Sequence, residues 1–272
     1  MVGGNLHKSL IVSPTGHGTF AMKRTKGELY VGTSNVVIPV PKSGFPEAFQ
    51  QTSRLFYYAR LFNSVELNST FYKTPRAITF EKWAAEVPEN FRFSIKLTRE
   101  ATHAKGLKFN PDDIIKLIDA SLSIGSRMGC LLIQFPGKIS LDYFEQVESM
   151  LELLAEREYF QHWKPAIEFR DASWYTRETQ ELLDEFNASL VVHDIPKSIL
   201  TEPNKNAPFV YLRFHGEKGD YRGSYSDEAL KGYARRIGDW RASGKDVYAY
   251  FNNTVGDAFD NAHTLRKLCE TV

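Results

Sequence analysis

The sequence predicts an α/β fold, a (β/α)8 TIM-type barrel in a single domain. Eight short apolar or β-branched runs recur along the chain, with helical patterns between most of them. The length, 272 residues, suits one barrel. The glycine-rich phosphate turn of a dinucleotide fold is missing after the first run, where the chain reads GTSNVVIPVP. The closed barrel is therefore favoured over a doubly wound open sheet. The same absence argues against a nicotinamide or flavin site of that type, and no cofactor is predicted.

The strand candidates, in order, are ELYVGTS (28–34), SVELNSTF (64–71), RFSIKL (92–97), MGCLLIQF (128–135), KPAIEFR (164–170), SLVVHD (189–194), FVYLRFHG (209–216) and DVYAYFNN (246–253). Between them, Leu55, Phe56, Ala59 and Phe62 are spaced for one helix face, as are Ile114, Leu117, Ile118 and Leu122. Phe144, Val147, Leu151 and Leu154 repeat the pattern, followed by Leu230, Tyr233, Ile237 and Trp240. Asn110-Pro111-Asp112 fits an N-cap with proline at the first helical position. Gly125 and Gly244 stand just past helical patterns, where a left-handed residue ends a helix. The crossover between strands 6 and 7, IPKSILTEPNKNAP, holds prolines and no sustained period, which predicts an irregular loop. Residues 1–27 read as a disordered tail without a signal-peptide pattern, Met22 being a possible natural start, and residues 28–272 as the barrel.

Composition narrows the function classes. A net charge of +1 argues against a broad nucleic-acid or membrane-surface footprint, and no apolar run is long enough to span a bilayer. Cys130 and Cys269 read as buried, reduced thiols, which points to a cytoplasmic protein.

Alternation along the strands locates the chemistry. One parity set is apolar and is expected under the helices: Leu29 and Val31, Val65 and Leu67, Phe93 and Ile95, Leu131 and Ile133, and their equivalents in the later strands. The other set ends polar: Ser34; Glu66, Asn68 and Thr70; Lys96; Gln134; Glu168 and Arg170; His193; Arg213 and His215; Asn252. In a barrel this set points inward, toward the C-terminal ends of the strands where the loops build a pocket. A carboxylate within a core strand, Glu66, thereby gains Lys96, Arg170 and Arg213 as compensating charges.

With these residues in view, the chain resembles the YecE-like family, known as domain of unknown function 72. The shared blocks are VELNSTFYKTP, FRFSIKLTREATH, LLIQFP, IEFRDASW, VYLRFHG and VYAYFNNTVGDAFDNA, spread over residues 28–268. The resemblance implies a TIM-type barrel and supplies no activity. The sequence departs from the family where Asn35-Val36-Val37 replace glycine and tryptophan, where Pro136-Gly137 replaces a proline pair, and where Thr254 replaces an aspartate.

The leading functional expectation is an enzyme, a hydrolase or lyase, acting on a small anionic, sugar-like substrate that is phosphorylated or carboxylated. Glu66 and Glu168 would be acid and base, one with a raised pKa, and Lys96 and His215 would complete the catalytic set. The alternative for both carboxylates is a fixed polar plug with the three cations. Lys96 is either a Schiff-base nucleophile or a charge that neutralises an anion. Arg170 and Arg213 either clamp a substrate anion or salt-bridge the carboxylates. Ser34, Asn68, Gln134, His193 and Asp194 are candidate substrate contacts, and so are His103 on the loop after strand 3 and Asn252 and Asn253 after strand 8. Tyr72 and Trp174, just past strand ends, are candidate rim contacts; Trp83 and Trp240 read as packing.

A second expectation is a metal-dependent phosphodiesterase similar to endonuclease IV. It would ligate a divalent ion through His193, Asp194, His215 and Glu66 or Glu168, and hold nucleic acid on Lys73, Arg76, Arg99, Lys105 and Lys108. The inward cations disfavour a dication, so no metal site is predicted. A third expectation is a non-catalytic sensor that uses the same pocket.

Overall fold

Parallel strands cannot be joined by hairpins, so every run marked as a strand must be returned by a crossover. The computed structural model, which describes residues 26–271, shows that pattern throughout. The strands are β1 (Leu29–Thr33), β2 (Ser64–Leu67), β3 (Arg92–Lys96), β4 (Met128–Phe135), β5 (Lys164–Phe169), β6 (Ser189–His193), β7 (Phe209–Phe214) and β8 (Asp246–Phe251). They pair in parallel in the order β1-β8-β7-β6-β5-β4-β3-β2, a TIM-type barrel closed by a short β1–β2 seam. Of the expected tail, residues 1–25, with the alternative start at Met22, lie outside the described residues.

The helices are α1 (Arg54–Leu61), α2 (Ser69–Tyr72), α3 (Ala77–Ala85), α4 (Arg99–Thr102), α5 (Pro111–Ser121), α6 (Phe144–Glu156), α7 (Arg177–Glu185), α8 (Asp227–Ala242) and α9 (Ala258–Glu270). Local chemistry sets their ends. The Asn110 side chain accepts the Asp112 N–H with Pro111 at the first position of α5, as expected. Thr176 caps α7 through the Thr179 N–H, and Ser226 caps α8 through that of Ala229. Gly125 and Gly244 both take positive φ, 64° and 86°. The β6–β7 connection holds only a single turn, Pro196–Ser198, as its prolines predict.

One expected boundary fails. The second strand was predicted to run to residue 71, yet it ends at Leu67 and the chain turns into α2. Thr70 is the cause: its hydroxyl bonds the Leu67 carbonyl at 2.8 Å and receives the Lys96 N–H at 3.1 Å, tying the turn to β3. Thr70 therefore does not join the inward polar set.

The two parities bury in two cores. The apolar set, including Val31, Val65, Ile95, Ile133, Phe169, Leu212 and Phe251, packs between the sheet and the helices. Cys130, Leu132, Ala166, Val191, Phe209, Tyr211, Tyr248, Tyr250 and Tyr30 fill the barrel's inside below the site. Tyr30 stacks on Tyr248 at 4.6 Å, and Tyr250 shares hydrogen bonds with Ser64 and Ser94. The inside is thus a packed tyrosine layer that supports the polar tips above it.

Candidate functional site

Strand alternation and register deliver three charged side chains to one level inside the barrel. Glu66 on β2, Glu168 on β5 and Arg213 on β7 are all fully or almost fully buried. Arg213 Nε and Nη2 each donate to Glu66 at 2.8 Å, a bidentate pair, and Nη1 donates to Glu168 at 2.6 Å. Ser34 and Tyr211 donate to Glu66 at 2.6 and 2.9 Å. Burial pushes the Glu66 carboxyl up, but the Arg213 charge and these donors outweigh it and hold the pKa below its ordinary value. For Glu168, burial is likewise overcome by Arg170 and Arg213, which hold it well below. Both carboxylates are ionised, so neither has the raised pKa that an acid–base pair requires. Glu66 and Glu168 are both ion-paired with arginine, Glu66 with Arg213 and Glu168 with Arg213 and Arg170.

Above this floor stands a wall built outward from Glu168. Arg170 Nε donates to Glu168, Nη1 reaches the Tyr221 hydroxyl at 3.1 Å, and Nη2 meets His215 Nε2 at 3.1 Å. His215 Nδ1 faces Asp194 at 3.2 Å, and Asp194 also accepts the Tyr225 hydroxyl. Burial lowers the His215 pKa to about 4, against the Asp194 contact, so the ring is neutral with its Nδ1 proton on Asp194 and its Nε2 lone pair toward Arg170. His215, expected among the catalytic groups, is buried between Asp194 and Arg170.

The cavity over the floor has a volume of about 430 Å³. Lys96, Arg170 and Arg213 line it together with Gln134, Asn68, Tyr72 and Asn252. Lys96, the last residue of β3, donates to Gln134 Oε1 at 2.7 Å and lies 4.0 Å from the centre of the Phe71 ring. Among the described residues it has no carboxylate partner, in contrast to both arginines. Burial first, then the Arg213 charge, lower its pKa to about 8, while the Phe71 face favours the ammonium.

The sequence-predicted residues therefore divide by position. Asn68, Tyr72, Lys96, Gln134, Arg170, Arg213 and Asn252 face the cavity; Ser34, Glu66 and Glu168 lie in its floor; Asp194 and His215 stand behind its wall. His103 packs edge-on against Phe71 and bonds Thr102, beside the cavity rather than lining it, and burial with the nearby Lys96 charge lowers its pKa to about 4. Three residues are elsewhere. Trp174, expected at the rim, is fully buried, stacked 4.1 Å from Phe169 with its indole N–H on the Ile139 carbonyl. His193 is bound by the Phe169 carbonyl, Tyr175 and the Ile195 N–H. Asn253 is buried and ties the β8 end to Gly223 and Asn261.

Sequence reasoning missed several lining residues: Asn35, Phe71, Tyr221, Arg222 and Val255. Asn35 and Tyr221 hold positive φ, 64° and 66°, a strained state for any residue but glycine. The Asn35 amide oxygen accepts the Asn68 N–H at 3.1 Å, filling the first loop where the resemblance would place an aromatic group. Tyr221 lies in GEKGDYRGS (216–224), a loop with no strand period; its aromatic and basic residues among glycines were the signal available.

Among the described residues, no three His, Cys, Asp or Glu side chains converge where a metal could sit. His193, His215, Asp194 and the two glutamates are bound as described, which leaves the metal-dependent expectation without a ligand set there. Nor is any helix of the described residues long and apolar enough to cross a membrane.

Comparison with known proteins agrees with the fold. A family model described as a protein of unknown function, DUF72, matches residues 30–272. The UPF0759 protein YunF of Bacillus subtilis is 26% identical over 260 residues, covering 83% of this chain and 90% of its own. The UPF0759 protein YecE of Escherichia coli K12 is 29% identical over 79 residues, 29% of each chain. A crystal structure of a DUF72 protein from Enterococcus faecalis superposes with a TM-score of 0.72 at 21% identity, covering 89% of this chain and 95% of its own. Another from Thermotoga maritima gives 0.67 at 26% identity, covering 89% and 99%.

Proposed function

The chain belongs to the DUF72 family of proteins of unknown function, and we propose that its barrel mouth binds a small anionic compound, phosphorylated or carboxylated and sugar-like. The observation that carries this reading is the charge balance of one cavity. Four cations, Lys96, Arg170, Arg213 and Arg222, meet three carboxylates, Glu66, Glu168 and Asp220, so one positive charge is left over, and Lys96 is the strand-borne cation that no carboxylate pairs among the described residues. An anion placed between Lys96 and Arg170 completes the set. Asn68 Oδ1 is buried with no hydrogen-bond partner among the described residues and would accept a ligand hydroxyl. Tyr72 and Val255, exposed at 71% and 64% on the rim, offer apolar surface to the rest of such a molecule. The carboxylates take no acid–base part in this reading; they hold Arg213 and Arg170 in place. Two buried free cysteines suit a reducing, cytoplasmic compartment.

The test is calorimetric titration and thermal shift with inorganic phosphate and a panel of sugar phosphates and sugar acids. Lys96→Met should weaken the best anion by about ten- to a hundredfold, the worth of a charged hydrogen bond. Unchanged affinity in that variant, or no shift from any anion, rejects the reading.

A further inference from the structure

Lys96 has a second chemical capacity. We propose that it is a nucleophile that forms an imine with the carbonyl group of an aldehyde- or keto-bearing anion held at the barrel mouth. This rests on the anion-binding reading and narrows its ligand class.

The geometry separates Lys96 from the other two cations. Every nitrogen of Arg213 is engaged with Glu66 or Glu168, and Arg170 is held by Glu168, Tyr221 and His215. Those arginines are fixed binding groups. Among the described residues the Lys96 amine makes one hydrogen bond, to Gln134, and it lines the cavity. Lys96 ends a strand and its amine lies over the Phe71 ring, so the amine is presented from a rigid element. A lysine whose only task was neutralisation would be expected against a carboxylate. Here Glu66 and Glu168 are already paired with arginine, and burial, then the Arg213 charge, disfavour the ammonium. With a pKa of about 8, about a tenth of the amine is neutral at pH 7, against a negligible fraction for a surface lysine.

The step balances without a co-reactant. The Nζ lone pair attacks the carbonyl carbon, the C–N bond forms, and the carbonyl oxygen takes up the proton that nitrogen releases, giving a carbinolamine. A proton taken from solvent lets that hydroxyl leave as water while the nitrogen lone pair closes the C=N bond, which leaves the protonated imine. Arg170, with Arg222 at the rim, would hold the anionic end, and the imine cation would restore the charge that Lys96 carried.

The experiment uses the full chain with pyruvate or glyceraldehyde 3-phosphate, reduction by sodium cyanoborohydride, and peptide mass analysis. The expected result is a reduced adduct on Lys96 in about tenfold or greater excess over any other lysine, as its larger neutral fraction requires, and suppressed by excess inorganic phosphate. Lys96→Arg, which keeps the charge and removes the primary amine, should abolish that adduct. If phosphate binds but labelling at Lys96 is no greater than at surface lysines, imine formation is overturned and anion binding stands. If neither phosphate nor the two carbonyl compounds bind, both readings fall.

Discussion

A buried carboxylate is stable only when donors satisfy it, and Glu66 has four: two from Arg213 and one each from Ser34 and Tyr211. Glu66→Gln keeps the shape but turns an amide N–H2 toward groups that are already donors. It should cost about 3–5 kcal/mol of stability, because Arg213 is left partly uncompensated in a dry site. Urea unfolding of the variant measures this; a loss below about 1 kcal/mol would show that the ion pair is not what holds the floor together. The pairing was legible in part. Parity alone placed Glu66, Glu168 and Arg213 on one face, because strand alternation is a local rule. Their protonation was not legible, since it depends on which donors arrive from distant strands. Trp174 was misplaced for a similar reason. It follows a strand end, but Asp171 accepts the Ser173 N–H at 2.9 Å and the turn carries the indole back onto Phe169.

At the scale of elements, the barrel closes unevenly. Between β1 and β2 there is one bridge, Ser34 with Glu66, and side chains replace the missing ladder. Asn63 accepts the Val31 N–H at 2.9 Å and donates to the Leu29 carbonyl at 2.7 Å, acting as a surrogate strand residue. The Tyr58 hydroxyl, carried in by α1, accepts the Thr33 N–H at 2.7 Å and reaches the Ser64 carbonyl at 3.2 Å. Gly32 lies so close to this seam that a Cβ would stand 2.0 Å from the Ser64 oxygen. Tyr58→Phe strands a buried N–H and should cost about 1–3 kcal/mol, with faster amide exchange at Thr33 than in β4 or β5. Equal exchange in wild type and variant would mean that the hydroxyl closes nothing. All eight strands could be read from the sequence because each is apolar on its outer face. The seam could not, since nothing in FNSVELN shows that Asn63 pairs with a strand 32 residues earlier. The end of β2 was missed because STFY has strand-like composition, and only the Thr70 bond to β3 turns it.

For the whole molecule, the buried ionisable groups set a stability profile with a definite sign. His103 and His215 fold with pKa values near 4 against an ordinary 6.5, so between those limits the unfolded chain binds protons that the folded one refuses, and stability falls as pH drops from 6.5. Glu66 and Glu168 fold below 4.5, so their contribution is complete above that pH and is lost as pH falls further. Lys96 acts at the other end. Its folded pKa of about 8 lies below the ordinary 10.5, so folding releases its proton in that interval and Lys96 adds stability as pH rises from 8 toward 10, while Cys130 and Cys269, raised from 9.0 by burial, remove stability from about 9 upward. Above 10 the unfolded tyrosines ionise while Tyr211 and Tyr250, raised well above 10.0 by burial, stay protonated, so stability should fall. Denaturant midpoints taken from pH 3 to pH 11 would trace this. Lys96→Met removes the lysine's contribution and leaves that of the cysteines, so relative to wild type the variant should lose stability more steeply from pH 8 to 10 and to the same extent on the acid side. The same profile in both proteins between 8 and 10 would make Lys96 an ordinary ammonium in the folded barrel.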